Sequence, residues 1–228
     1  KLNYDNFIIS FQTLERPKTK NVTNTLFKVL KDKIKKIKYN ALIIGGSQGI
    51  GRDITTILKH NSKIFKIVTY NKNKILNKKK IISKKVDVLQ ETNTINKIID
   101  QYSPIKVFYL VSPKISFENK LEKKTKNEYK NLFLNIPLKI LEDNKFKQIS
   151  FFYPSTSYID ENKNSIYSRI KLDAEKQIKR LCIKNNIPIS IIRFPSINSR
   201  QSISINNPNP PSLVKYLKSN LQIINKIF

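Results

Sequence analysis

The sequence predicts an α/β fold: a doubly wound parallel sheet with helices on both faces. Three observations predict it. From residue 40 to residue 194, short apolar runs alternate with stretches of helical periodicity. All four glycines of the 228 residues, Gly45, Gly46, Gly49 and Gly51, fall in one seven-residue turn. That turn is entered from an apolar run, Ala41–Ile44, and left into a helical pattern.

The elements follow in order. Residues 6–11 read as a short strand that ends before Arg16-Pro17-Lys18. Residues 24–37 read as a helix with Leu26, Val29, Leu30, Ile34 and Ile37 at helical spacing and Thr23 or Asn24 as its cap. Residues 41–44 form a buried strand and residues 50–58 open a helix. A second strand spans 64–70, and 71–80 is a lysine-rich loop or weak helix. A third strand lies in 81–88, a helix in 92–102 and a fourth strand in 106–111. A long helical region occupies 121–143, a fifth strand 148–153, a strongly periodic helix 165–185 and a sixth strand 187–194. Residues 206–211 are a Pro/Asn loop and 213–228 a final amphipathic helix. No seventh strand is recognisable.

Composition removes several function classes. The net charge is +28, but the chain holds 38 Lys, 37 Ile and 26 Asn against only 6 Arg. Lys, Ile and Asn have AT-rich codons, so codon bias accounts for the charge, which is read as solvated lysine on every exposed face. Readers of nucleic acid favour the bidentate Arg fork, so no specific nucleic-acid partner is expected. No run approaches the ~20 apolar residues of a membrane span, and Lys1-Leu-Asn-Tyr-Asp5 lacks a signal-peptide pattern. One cysteine, Cys182, and one histidine, His60, exclude an internal disulfide and a Cys/His metal site. The expectation is a cytoplasmic protein with no membrane partner and no metal. The chain contains no Met, which predicts a piece of a longer polypeptide or an incomplete gene model.

The glycine turn carries the first chemistry. Gly45 permits a tight bend after the strand. Gly49 removes a side chain from the path of a phosphate, and Gly51 lets the helix pack close to the sheet. The amides at the helix start then face an anion. A dinucleotide pyrophosphate is the ligand this strand–turn–helix calls for.

The second constellation is Tyr167-Ser-Arg-Ile-Lys171, on a helix after the fifth strand. A four-residue step puts both side chains on one helix face. A free phenol ionises near ~10, and a neighbouring ammonium favours the phenolate. Just upstream, Phe151-Phe-Tyr-Pro-Ser-Thr-Ser157 supplies Ser155, Thr156 and Ser157. The spacing G-x-x-x-G-x-G, ending in Gly49-Ile50-Gly51, together with Tyr-x-x-x-Lys at this element resembles the short-chain dehydrogenase/reductase family over roughly residues 39–200.

The resemblance implies a Rossmann-like fold and an NAD(P)-dependent oxidoreductase that moves hydride between a nicotinamide and a small carbonyl or alcohol substrate. Tyr167 would be the acid/base. Lys171 would lower its pKa and bind the ribose hydroxyls, and one of Ser155, Thr156 and Ser157 would polarise the substrate oxygen. Asn131 matches the helix asparagine that supports a proton relay. Gly45, Ser47, Gln48, Gly49, Ile50, Gly51, Asn71, Asp87, Val88 and Lys171 would hold the cofactor, with Asp87 at the adenine. The second strand ends Thr69-Tyr-Asn71 without an acid, beside Arg52, Lys72 and Lys74, which favours NADP(H) over NAD(H). Residues 1–38 are then an N-terminal extension or the tail of an upstream domain. Residues 39–228 are the NAD(P)-binding domain, incomplete at its C-terminus, with a homo-oligomer left open.

The chain departs from the family pattern in places. Ile44 stands where Thr is usual, and Leu110-Val-Ser-Pro113 replaces Asn-Asn-Ala-Gly. Arg193-Phe-Pro195 resembles the Arg-x-Pro of extended members. Two alternatives stay open: a nucleotide-sugar epimerase or dehydratase of the extended type, and a dinucleotide-binding domain without catalysis.

Overall fold

The computed structural model describes residue 34 and residues 38–74, 80–113, 115, 122–197 and 210–228. The strand expected at 6–11, nearly all of the helix at 24–37, and much of the loops at 71–80 and 206–211 lie outside the described residues. Ile34, the one described residue of that first helix, packs into the core, and its carbonyl accepts a hydrogen bond from the Asn61 side chain.

Six strands form one sheet: β1 (Ala41–Ile44), β2 (Lys66–Tyr70), β3 (Ile81–Lys85), β4 (Lys106–Tyr109), β5 (Ser150–Thr156) and β6 (Ile189–Phe194). Their order is β3-β2-β1-β4-β5-β6, and every pairing is parallel. The order reverses between β1 and β4, where crossovers leave for opposite faces and open a crevice at the C-terminal edge. The expected doubly wound sheet is therefore what the chain forms.

Alternation along the strands builds two cores. Leu42, Ile44, Val107, Tyr109, Phe151 and Tyr153 point to one face. They meet helix α2 (Thr92–Tyr102), helix α4 (Ile136–Asp143) and helix α6 (Ile166–Lys184). Ala41, Ile43, Val68, Phe108 and Phe152 point to the other face. There they meet helix α1 (Gly49–Lys59), α7 (Leu213–Ser219) and α8 (Leu221–Ile227). Lys66 is buried within β2 and donates to the Leu58 and Asn61 carbonyls at the end of α1. A cation there offsets the negative end of the helix dipole.

Four features differ from the sequence reading. The strand expected to end at residue 153 runs to Thr156, because β6 pairs with it as far as Thr156 against Phe194. Pro154 suits this extension. Residues on its side of the strand face β4, whose pairing ends at Phe152, so no partner there needs the missing N–H. A short helix, α5 (Tyr158–Glu161), follows β5. The last helix breaks at Asn220, whose side chain bonds the Tyr216 carbonyl in place of a continued ladder.

The fourth difference lies in the region 121–143. It forms helix α3 (Lys123–Lys130), a π-helical turn (Asn131–Asn135) and α4. Pro137 explains the wide turn. It has no N–H to offer the Phe133 carbonyl in an α-helical register, nor the Leu132 carbonyl in a π register. Both carbonyls are served from the sheet instead. Tyr109 donates its hydroxyl to Leu132 at 2.7 Å, and Tyr153 donates to Phe133 at 2.9 Å.

The glycine turn tolerates almost no added atom. A Cβ on Gly51 would sit 2.1 Å from the Gly45 carbonyl oxygen. Gly45 has φ +80°, and its Cβ would press on the backbone of Leu110 and Val111 at 3.1 Å. Gly51→Ala should therefore cost about 1–3 kcal/mol, a fall of about 2–12 °C in Tm. Thermal unfolding followed by circular dichroism measures it, and an unchanged Tm would contradict this packing.

Candidate active site

Two constructions meet at the C-terminal edge of the sheet. The first is the turn from β1 into α1. Gly45 and Gly49 take positive φ, +80° and +50°. The Gly45 amide donates to the Thr69 hydroxyl at 3.0 Å, and the Gly46 amide to the Thr69 carbonyl at 3.0 Å, which ties the turn to β2. Thr55 donates to the Gly46 and Gly51 carbonyls at 3.1 and 2.8 Å. Gln48 stands at the cap position of α1 without a side-chain cap bond, and the first turn holds no acid. The N–H groups there are left facing outward from the turn. Ser47 and Ile50 are half-buried, and Gln48 is exposed.

The second construction is the end of β5 and the start of α6. Ser165 caps α6 by accepting from the Ser168 amide at 3.0 Å. That cap sets Tyr167 in the first turn, at the sheet's C-terminal edge. Tyr167 is buried, 6% exposed, against Tyr129 and Phe133 with edge-on ring contacts. Its hydroxyl is hydrogen-bonded to the Thr156 side chain. Thr156 Oγ1 already accepts from the Tyr158 amide at 3.2 Å, so its proton is free to go to the phenol. The three hydroxyls of this segment therefore divide. Thr156 serves Tyr167, and Ser157 donates to Glu161 at 3.2 Å. Ser155 Oγ is buried without a hydrogen-bond partner among the described residues.

Lys171 lies one turn below Tyr167 and is 4% exposed. Its Nζ donates to the Tyr153 hydroxyl at 3.1 Å and to the Pro154 carbonyl at 2.7 Å. The ammonium sits over the rings of Tyr153, at 4.2 Å from the centroid, and Phe133, at 4.6 Å. Burial pulls its pKa down to about 7, against a smaller upward pull from Glu175. Glu175 is itself held by a bidentate contact from Arg193, which also reaches Asp160 at 2.7 Å.

One expectation needs correcting here. The ammonium was expected to lower the Tyr167 pKa, but burial pushes the phenol up, and the Thr156 bond offsets only part of that. Lys171 spends its protons on Tyr153 and Pro154, and its own charge is weakened by the same burial.

The other expected residues lie apart from this cluster. Asn131 is exposed in the π turn and accepts from Asn135 at 2.7 Å. Asn71 is exposed just past β2, as are Lys72 and Lys74, and Arg52 is exposed on α1. Asp87 follows β3 and caps its own turn by accepting from the Leu89 amide, while Val88 is buried. Arg193 is committed to its two carboxylates. Sequence reasoning missed Tyr153 and the Phe133 carbonyl. The signal that finds them is Pro137 inside a helical run, since a proline there strands a carbonyl four residues earlier.

No protein-family model matches the sequence, and no curated protein matches it. Solved structures do. A short chain dehydrogenase family protein from Francisella tularensis superposes with a TM-score of 0.67 at 15% identity, over 82% of this chain and 91% of that one. The chain has the fold of the short-chain dehydrogenases/reductases. An alcohol dehydrogenase from the archaeon Thermococcus sibiricus, complexed with 5-hydroxy-NADP, gives a TM-score of 0.62 at 12% identity over 83% and 91%. An epimerase from Methanothermobacter thermautotrophicus gives 0.60 at 19% identity, over 74% of this chain and 55% of that one. The chain thus spans about half the length of that epimerase. Among the described residues of this short-chain dehydrogenase/reductase fold, no helix is long and apolar enough to cross a membrane, and no His/Cys/Asp/Glu group could hold a metal ion.

The buried Lys171 makes stability depend on pH. An unfolded lysine keeps its proton to its ordinary value of 10.5, whereas the folded one releases it near 7. Between those limits the unfolded chain binds more protons, so this group makes stability rise with pH. Lys171→Met buries an apolar chain instead. It should be more stable than the parent at about pH 6, with the gap narrowing by about pH 10. Thermal unfolding of both proteins across that range checks it, and a gap independent of pH would exclude a buried ammonium.

Proposed function

We propose that the protein is an NAD(P)-dependent oxidoreductase acting on a carbonyl/hydroxyl pair. One observation carries this reading. A buried phenol is bonded to Thr156, and Ser155, the residue before Thr156 in β5, keeps a buried hydroxyl with no hydrogen-bond partner among the described residues, at the sheet edge that also carries the glycine turn. An orphaned buried oxygen costs stability unless a ligand completes it.

The residues present fit a dinucleotide. Gly45, Ser47, Gln48, Gly49, Ile50 and Gly51 would hold the pyrophosphate, Asp87 and Val88 the adenine end, and Lys171 the nicotinamide ribose. When bound, the nicotinamide supplies the site that takes or gives hydride. Burial keeps Tyr167 protonated at neutral pH, which suits it to hand a proton to a carbonyl oxygen as that oxygen gains charge. Ser155 would orient and polarise that oxygen, and Thr156 would hold the phenol. The exposed Arg52, Lys72 and Lys74, with no acid at the end of β2, favour a 2′-phosphate and hence NADP(H).

The epimerase alternative leaned on Arg193-Phe-Pro195 and on the strand end Val111-Ser-Pro113. Arg193 is occupied by Glu175 and Asp160, a clamp joining β6, α5 and α6, so it gives that alternative no support. A solely nucleotide-binding role leaves the Tyr167, Thr156 and Ser155 arrangement unexplained.

A ligand that binds only the folded state raises Tm. NADPH should do so, and should bind about 10–100-fold more tightly than NADH, the worth of one added charge-assisted contact. Absence of any shift with either nucleotide at saturation would remove the proposal. Tyr167→Phe should leave nucleotide affinity within about twofold and reduce carbonyl reduction at least about 100-fold. A screen of simple ketones and aldehydes, followed by NADPH absorbance, measures that.

A further inference from the structure

The geometry points to Tyr153 as a positioning residue for Lys171, its hydroxyl fixed as an acceptor because Pro137 leaves the Phe133 carbonyl in need of its proton. The inference rests on the reading of Lys171 as a working residue of the site.

A phenol has one proton and can accept as well. The Phe133 carbonyl would ordinarily accept from the amide four residues on, which is Pro137 and has none. Tyr153 donates there at 2.9 Å, so its proton is committed. The hydroxyl can then meet Lys171 Nζ, at 3.1 Å, only as an acceptor. Tyr153 is 1% exposed, and its ring stacks on that of Tyr109, whose hydroxyl makes the companion bond to Leu132. No water is needed to fix the direction of the chain Lys171 to Tyr153 to Phe133. The Pro154 carbonyl supplies the second acceptor from the strand. Two acceptors and two ring faces leave the ammonium one defined position, one turn from Tyr167.

The groups around Lys171 are few. Tyr153 comes from β5, with Tyr109 behind it on β4. Tyr167 and Glu175 share α6 with the lysine, and Glu175 is shared with Arg193 of β6. Tyr129 comes from α3, against Tyr167. Glu175 is the anion that acts on Lys171, so the neutral acceptors carry much of the work of holding the charge.

Lysine side chains labelled with carbon-13 at Cε report the titration of Nζ, and the Lys171 signal is the one lost in Lys171→Met. Tyr153→Phe keeps the ring and removes only the acceptor. Its Lys171 midpoint should fall by about one pH unit relative to the parent. Pro137→Ala leaves Lys171 and Tyr153 in place and returns an N–H to the helix. It should shift the midpoint in the same direction by a smaller amount, as the Tyr153 proton is released. A Lys171 midpoint unchanged in Tyr153→Phe overturns the inference, whatever happens to Tm. NADPH titration of the same proteins separates this from the proposed function. If the parent binds no nucleotide while the Tyr153→Phe midpoint moves, the oxidoreductase reading falls and the positioning of Lys171 stands. If the parent binds, Tyr153→Phe should bind about tenfold more weakly, with the alkaline loss of affinity moved to lower pH.

Discussion

The edge of the sheet that carries the site is organised by a contact that admits no side chain, that of Gly51 with the Gly45 carbonyl. Because α1 begins there, its axis is fixed against β1, and Ile54, Ile57 and Leu58 follow into the core below the sheet. The turn is simultaneously held from β2 by Thr69 and from α1 by Thr55. It also presses on the backbone where β4 ends. Three strands and one helix therefore share one anchored loop, and its outward amides inherit that rigidity. A site for a diphosphate needs this kind of preorganisation, since ordering a loose loop at the moment of binding would subtract from affinity.

The second half of the site is governed by a different economy, that of charge without water. Lys171 is enclosed by rings and reaches only neutral oxygens. Glu175, the carboxylate that acts on it among the described residues, is gripped by Arg193. An ammonium so placed has lost its hydration, which is why its pKa descends to about 7. The same enclosure pushes the Tyr167 phenol up. Burial thus drives the two groups toward their uncharged forms, and the state described is that of a proton donor beside a near-neutral amine.

Much of this was legible in the sequence, and the parts that were not have identifiable physical causes. The doubly wound parallel sheet follows from strand–helix alternation with glycine at the first crossover, whereas the strand order comes from the structure. The positions of Tyr167 and Lys171 follow from a four-residue step on a helix whose cap, Ser165, is itself readable. The end of β5 was misjudged because Pro154 resembles a terminator, and its tolerance depends on where the neighbouring strand stops pairing. The direction of the Tyr167 shift was misjudged because spacing reveals the proximity of a cation but not the depth of burial around it. Asn131 illustrates the same limit. It stands first in the π turn, and spacing does not show that its side chain lies exposed there, bonded to Asn135.

Against so biased a composition, the residues that run counter to the bias hold the most information. Lysine, isoleucine and asparagine make up 101 of 228 positions, and most of them describe a solvated surface or an aliphatic core. Glycine, proline and arginine have GC-rich codons, and several of them stand where their own chemistry is required. The four glycines make one turn. Pro137 withholds an amide, and Pro154 sits where an amide is not needed and offers its carbonyl to Lys171. Arg193 supplies the fork that binds Glu175 from two nitrogens while spanning to Asp160, which a lysine cannot do. The glycine turn forms one half of the candidate site, and the two prolines and the arginine bound the ammonium of the other.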